Sequence, residues 1–182
     1  GEGQTEDVAM IRLADVALAR LGETKAIVEL GHVGLVESIL DEAGVTGRKR
    51  ARIRIEVGRK DRGALRELGA PAILDRLVRL PASVDALAEA KTVVGDGKAR
   101  RALDELEAVI EALGNMSRPI VVEFAAVREI DYYTGIVFEA LHPELGRPIL
   151  GGGRYDRLVE EFGAPTPATG FSLELEALLR SG

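Results

Sequence analysis

The residues best suited to bind a small molecule include a run of three glycines, Gly151, Gly152 and Gly153. Glycine has no side chain to keep a ligand away from the backbone. Arg154 and Tyr155 follow directly, and we predict that a helix begins here. The first N–H groups of a helix favour an anion such as a carboxylate or phosphate. An ordinary strand-to-helix turn would use the same glycines, so the run alone leaves both interpretations open.

Two adjacent tyrosines lie in a second block, residues 128–135, which begins with an arginine. The β-branched and aromatic residues of 130–141 predict a strand. In a strand, Tyr132 and Tyr133 would point to opposite faces, and Tyr133 would share its face with Asp131. Only one tyrosine hydroxyl could then serve a given pocket. Tyrosines are also ordinary strand residues, so a purely structural role stays open.

Other polar residues have simpler structural explanations. His32 is expected to cap or pack at the start of a helix, and His142 lies in a predicted loop. Two carboxylate pairs have helix-surface spacing and need no catalytic role: Asp104 with Glu107, and Glu160 with Glu161. A group of basic side chains predicts a solvated helix face rather than a phosphate-binding strip. Its members are Arg48, Lys49, Arg50, Arg52, Arg54, Arg59 and Lys60.

Composition excludes several kinds of site. The chain of 182 residues has no cysteine and two histidines, so disulfides, thiolate zinc sites, cysteine nucleophiles and histidine-rich metal sites are not expected. Its formal net charge of −6 argues against a surface built to hold nucleic acid. With 46% hydrophobic residues and no apolar run of the roughly 20 residues that span a bilayer, we expect a soluble, cytoplasmic domain. The sequence starts without Met, which predicts a fragment of a longer protein.

The elements that must position these residues fall into three parts. In the first part, the spacing of apolar residues predicts a helix over 6–21, a strand over 25–30 and a helix over 35–43. In the middle part, apolar stretches separated by glycine and proline predict short amphipathic helices over 61–68, 72–79, 84–94 and 98–113. Residues 50–57 alternate polar and apolar side chains as a strand does, but their helical surroundings favour a helix.

From residue 119 onward the sequence changes to β character. It predicts strands over 119–125, 130–141, 147–150 and 168–173, with helices over 155–162 and 175–180. We therefore predict a sheet-containing core made of residues 1–45 and 115–182. Residues 46–114 would form a helical insertion subdomain within it.

Three blocks together resemble a known family. Residues 128–135, 151–156 and 170–177 match, in order and spacing, the two histidine-specific motifs and motif 3 of histidyl-tRNA synthetase-type class II catalytic domains. The resemblance implies an α+β fold, with a class II aminoacyl-tRNA synthetase-like antiparallel sheet flanked by helices and a helical insertion. It also implies that the domain is incomplete here, because motifs 1 and 2 and the core of the dimer interface would lie upstream.

Motif 3 distinguishes the two branches of that family. The arginine that holds the ATP phosphates in a synthetase corresponds to Ala177, and the glycine that gives the nucleotide room corresponds to Glu174. Alanine cannot stabilise phosphate charge and a carboxylate repels it, which would cost roughly 3 kcal/mol or more in the transition state. Residues 167–173 are similar to the other branch, the regulatory subunit of short-form ATP phosphoribosyltransferase.

That branch implies a non-catalytic chain without cofactor or metal. It would be required by a short catalytic ATP phosphoribosyltransferase subunit in the first step of histidine biosynthesis, and L-histidine would inhibit the complex through it. The full-length chain would dimerise and form hetero-oligomers with that subunit, while neither membrane nor nucleic acid is expected as a partner. A histidyl-tRNA synthetase core fragment and a tRNA-binding pseudo-synthetase domain stay as alternatives.

The resemblance also implies where histidine would bind. Arg128 would face its carboxylate, and Tyr132 or Tyr133 would hydrogen-bond the imidazole or close over it. Gly151, Gly152 and Gly153 would let the strand edge approach. Arg154 and Tyr155 would support that wall. Binding at the interface with the catalytic subunit is the alternative location.

Overall fold

The backbone is organised around one five-stranded sheet. The computed structural model describes residues 3–128, 132–158, 160, 163 and 166–181. The strands are β1 (Ile27–His32), β2 (Ile120–Glu123), β3 (Ile136–Leu141), β4 (Pro148–Arg154) and β5 (Thr169–Leu173). Their order across the sheet is β2-β1-β3-β4-β5. Strands β1 and β2 are parallel, and the other neighbouring strands are antiparallel.

The predicted antiparallel sheet is therefore correct except at the β2 edge, where the sheet is mixed. A parallel pair requires a crossover long enough to bring the chain back to the same end of the sheet. The long helical segment between β1 and β2 provides that crossover. The pairs β3–β4 and β4–β5 join consecutive strands through shorter connections, which antiparallel pairing allows.

Helices flank the sheet, as predicted. They are α1 (Gln4–Arg20), α2 (Val33–Glu42), α3 (Gly47–Gly58), α4 (Arg62–Glu67), α5 (Ala72–Leu77), α6 (Leu87–Val94), α7 (Lys98–Leu113) and α8 (Leu175–Ser181). A short 3₁₀ turn, Val84–Ala86, precedes α6. In the part of the chain that the structure describes, no helix is both long and apolar enough to cross a membrane.

One face of the sheet packs on α1 and α7 and forms the hydrophobic core. The sheet contributes Val28, Leu30, Val122, Phe138, Ala140 and Leu150. Helix α7 buries an apolar stripe at helical spacing and packs on α1, α2, α6 and β1. The division into a core and an insertion over residues 46–114 stays a prediction, and α7 joins the two predicted parts through these contacts.

The chain around the two candidate blocks differs from expectation. The strand predicted over 130–141 begins at Ile136, and Asp131 lies outside the described residues. The glycine run lies inside β4 rather than at a helix start, because β4 pairs with both β3 and β5. Residues 156–158 form a turn, and residues 159, 161 and 162 of the predicted helix, including Glu161, lie outside the described ranges.

His32 ends β1 and caps α2, which confirms its predicted role. Its Nδ1 accepts a hydrogen bond from the Gly34 N–H at 3.0 Å. The proton is therefore on Nε2, which lies 3.0 Å from Oε2 of Glu105.

We expect His32→Ala to lower the free energy of unfolding by about 1 kcal/mol, because the cap is lost. The variant His32→Asn should lose less, since an asparagine side chain also caps a helix. Urea denaturation of the three proteins measures both effects. Equal losses in the two variants would contradict the capping role.

Candidate functional site

The second face of the sheet is poor in side chains. We call it the glycine face, and it carries Glu29, Gly31, Glu123, Glu139, Gly151, Gly153 and Gly170. Strand register sets this arrangement, because directly paired residues project to the same face. Glu29 pairs with Glu139, which pairs with Gly151. Two residues further along β1, Gly31 pairs with Val137, which pairs with Gly153, and Gly153 pairs with Gly170. We call each such line of paired residues across the sheet a row.

Three tyrosines form one aromatic cluster on the glycine face. The ring centroids of Tyr132 and Tyr133 are 4.5 Å apart, and the Tyr155 centroid lies 5.8 and 6.5 Å from them. A methyl group added at Gly153 would lie 3.0 Å from Cδ1 of Tyr133. One added at Gly170 would lie 2.7 Å from the Tyr155 hydroxyl. The absence of side chains at these glycines makes room for the two rings.

The prediction that Tyr132 and Tyr133 point to opposite faces is wrong. Strand alternation does not apply to them, because β3 begins only at Ile136. Their hydroxyl oxygens lie 3.4 Å apart. Burial raises the pKa of Tyr133, and its hydrogen bond with Tyr132 raises it further. Tyr133 is therefore protonated at neutral pH, and both hydroxyls can serve the same ligand.

Arg128 provides positive charge beside this cluster. Its Nη1 lies 2.8 Å from Oε1 of Glu139, and its carbonyl accepts a hydrogen bond from Arg54 at 3.3 Å. Arg128 and Tyr133 also line a cavity of about 480 Å³ beside α2 and α3. The other residues of that cavity are Val33, Gly34, Glu37, Asp41, Arg50, Arg54, Thr134 and Arg157. The structure thus places Arg128 next to the predicted tyrosines.

Three glutamates give the glycine face an acidic character that the sequence analysis missed. Nζ of Lys60 lies 2.5 Å from Oε2 of Glu123, and Arg128 pairs with Glu139. The third, Glu29, lies near both carboxylates. Burial raises the pKa of Glu29, and repulsion from Glu123 and Glu139 raises it further. In the sequence, each of these glutamates would be predicted to be an ordinary solvent-exposed strand residue. Only the pairing of the strands shows that the three carboxylates lie close together.

Gly152 and Arg154 project to the opposite face, so they do not join the other predicted residues. A methyl group at Gly152 would lie 2.8 Å from Cζ of Phe138 and 2.6 Å from Cβ of Phe171. Two guanidinium nitrogens of Arg154 lie 2.9 and 3.1 Å from the carboxylate oxygens of Asp7. Arg154 therefore joins β4 to α1 on the face of the sheet opposite the tyrosines.

The arrangement suits binding of a small molecule that carries both charges. Arg128 can meet an anionic group, the glutamates can meet a cationic one, and the tyrosines provide ring surface with hydroxyl donors. Within the described residues, no group of three or more His, Cys, Asp or Glu side chains could hold a metal ion. Ala177 is fully buried and Glu174 is exposed. Residues 170–177 contain no lysine or arginine, so this segment brings no cation to the face.

Comparison with known proteins places this geometry in context. The family model described as "Histidyl-tRNA synthetase" matches residues 1–178. An ATP phosphoribosyltransferase regulatory subunit from Geobacter metallireducens is 34% identical over 185 residues, which cover 96% of this chain and 43% of that protein. The regulatory subunit from Moorella thermoacetica is 38% identical over 187 residues, covering 97% of this chain and 48% of that one.

A solved structure shows the same fold. This ATP phosphoribosyltransferase regulatory subunit/histidyl-tRNA synthetase from Bacillus halodurans superposes with a TM-score of 0.87 at 30% identity. The match covers 100% of this chain and 50% of that one. The chain therefore spans about half the length of the relatives that it matches, and the class II synthetase-like fold is shown.

Proposed function

The chain belongs to the histidyl-tRNA synthetase family, and from that premise we propose that its parent protein is the regulatory subunit of a short-form ATP phosphoribosyltransferase. The names of the relatives from Geobacter and Moorella support this branch. The parent protein would act in the cytoplasm, in the first step of histidine biosynthesis. It would be required by a short catalytic subunit and would carry no catalytic residue itself.

One observation carries the choice of branch. The chain keeps a face suited to an amino acid, with Arg128 beside three tyrosines, while Ala177 stands where the family resemblance expects the ATP-binding arginine. A site that binds the amino acid but cannot stabilise the phosphates of ATP would sense histidine without activating it. That is the behaviour expected of a feedback sensor.

In the proposed complex, Arg128 binds the carboxylate of L-histidine, exchanging its contact with Glu139 for the ligand. Tyr132 and Tyr133 contact the imidazole, because their hydroxyls lie close together on one side of the face. Gly151 leaves the floor open, since the nearest atom to an added methyl group would be 3.9 Å away. Tyr155 completes the wall, and Arg154 holds it from the other face of the sheet.

Histidine bound here would inhibit the catalytic subunit by favouring one arrangement of the complex over another. Such coupling is a free-energy difference between two arrangements, typically 1–3 kcal/mol, and requires that histidine contacts them unequally. The full-length parent would dimerise and assemble with the catalytic subunit into a hetero-oligomer.

The test uses the full-length parent protein mixed with its short catalytic partner. Formation of phosphoribosyl-ATP from ATP and phosphoribosyl pyrophosphate is followed with and without histidine. We expect activity only in the mixture and suppression by histidine. In Arg128→Ala the histidine concentration for half-inhibition should rise about 10- to 100-fold, because a charge-assisted contact is lost. Arg147→Ala, at an exposed site away from the face, is the matched control.

A second function follows from the family model, whose description is that of the tRNA-charging enzyme. If the catalytic partner is indifferent to the parent protein, the regulatory proposal fails. Histidine-dependent exchange of pyrophosphate into ATP would then identify a synthetase. Salt-dependent tRNA binding without that exchange would indicate a pseudo-synthetase.

A further inference from the structure

Strand β1 carries a glutamate in the middle of the glycine face. Glu29 lies in the row that connects Val121 on β2, Glu139 on β3 and Gly151 on β4. Because β1 has a strand on each side, this half-buried side chain stands over the sheet rather than at its edge. The open floor at Gly151 lies in the same row.

The two carboxylates near Glu29 are each matched by a cation. Lys60 pairs with Glu123, and Arg128 pairs with Glu139. The backbone of Glu29 pairs with both neighbouring strands, but among the described residues no side chain or N–H group forms a hydrogen bond or ion pair with its carboxylate. Its pKa is raised by burial first and then by Glu123 and Glu139, and the attraction of Arg128 and Lys60 does not cancel these effects. Among the described side chains of this face, three carboxylates are therefore matched by only two cations.

We propose that Glu29 binds the ammonium group of the amino acid on the glycine face and so makes the site selective for ligands with a free α-amino group. This inference rests on the proposed histidine pocket and adds a residue to it. Neither the motifs nor the tyrosine cluster includes Glu29.

The geometry favours the ammonium group over the imidazole as the partner of Glu29. An amino acid carries its ammonium and carboxylate groups on one carbon, so a carboxylate at Arg128 places the ammonium close to the same point. Arg128 lies against Glu139, whose register partner is Glu29. Paired residues of antiparallel strands have Cα atoms about 4.5–5.5 Å apart. The imidazole extends from the other side of that carbon, toward the tyrosines.

Three ligands separate the charges of histidine. L-Histidine has both groups, histidinol lacks the carboxylate, and imidazolepropionate lacks the ammonium. Isothermal titration calorimetry of the full-length parent protein measures the three affinities in the wild type and in Glu29→Gln. We expect the variant to bind histidine and histidinol about 10- to 100-fold more weakly, with unchanged affinity for imidazolepropionate. Arg128→Ala should do the reverse, weakening histidine and imidazolepropionate and sparing histidinol.

Two further variants separate the loss of the Glu29 contact from a general effect of removing a carboxylate or of misfolding. Glu67→Gln removes a carboxylate at an exposed site away from the sheet and should change none of the affinities. Glu29→Asp keeps the charge and should keep the wild-type ratio of the affinities for histidinol and imidazolepropionate, a ratio that partial misfolding does not alter. If Glu29→Gln leaves histidinol binding unchanged, or weakens all three ligands equally, the assignment of Glu29 is wrong. If the wild type binds no histidine at all, the proposed function fails and the inference fails with it.

Discussion

Replacing Arg154 by methionine is expected to lower the free energy of unfolding by about 3–5 kcal/mol. Asp7 and Arg154 form a buried ion pair, and Arg154 also contacts Asp156 at 3.1 Å. Burial raises the pKa of Asp7 even with Arg154 beside it, so loss of solvation already outweighs the attraction. Without the arginine, the carboxylate stays buried with no cation to compensate it. Urea-induced unfolding followed by circular dichroism measures the loss.

A second variant separates this cause from a loss of packing. In Asp7→Leu/Arg154→Met both charges are absent, and we expect much of the lost stability to return, because buried ion pairs can often be replaced by apolar side chains. Arg147→Met, at an exposed position, should stay within about 0.5 kcal/mol of the wild type. A double variant that is as unstable as Arg154→Met would show that the buried charge is not the cause.

The substitution Gly152→Ala is expected to destabilise the fold by about 3 kcal/mol, near the upper end of the cost of overpacking. The added methyl group would lie 2.5 Å from the carbonyl oxygen of Gly170, 2.6 Å from Cβ of Phe171 and 2.8 Å from Cζ of Phe138. The first two atoms are backbone or next to it, so a side-chain rotation cannot relieve the clash. The strand pair β4–β5 would have to separate.

Gly151→Ala is the matched control for this prediction. The nearest atom to its methyl group would be Cγ of Glu139 at 3.9 Å, an ordinary contact. Because alanine reduces the entropy of the unfolded chain, this variant should be neutral or up to about 1 kcal/mol more stable than the wild type. Chemical denaturation of both variants compares adjacent glycines in one strand. Equal losses would contradict the prediction, because the close approach that only Gly152 has would then not decide the outcome.

How much of the fold was predictable depended on how local its causes are. Helix α7 was predicted with its observed bounds, because its apolar stripe repeats at helical spacing over sixteen residues. Residues 50–57 alternate as a strand does, but their helical surroundings favoured a helix, and the helix is correct. Helix α3 buries Ile53 and Val57 but leaves Ile55 51% exposed, which is a spacing of four rather than two. The pattern within one element was enough to predict α7, whereas α3 was predicted from its neighbours along the chain.

The candidate site was less predictable because its arrangement is set between elements. Gly152 leaves room for Phe138 and Phe171, which lie on two other strands. The sequence does not show this packing, so the glycine run was predicted to lie at a turn into a helix. The positions of Tyr132 and Tyr133 depended on where β3 begins, a boundary that strand propensity does not fix. The place of Glu29 in the candidate site is visible only from its register with Glu139. The sequence therefore showed which residue types could form a pocket, but not that they lie on the same face of the sheet.

The tyrosine cluster also gives this chain an optical property. The sequence contains three tyrosines and no tryptophan, and all three tyrosine rings lie within 6.5 Å of one another on the glycine face. Intrinsic tyrosine fluorescence from these 182 residues therefore comes from the candidate site alone. A change in emission on adding a small molecule would report an event at that face, and the protein needs no attached dye to show it.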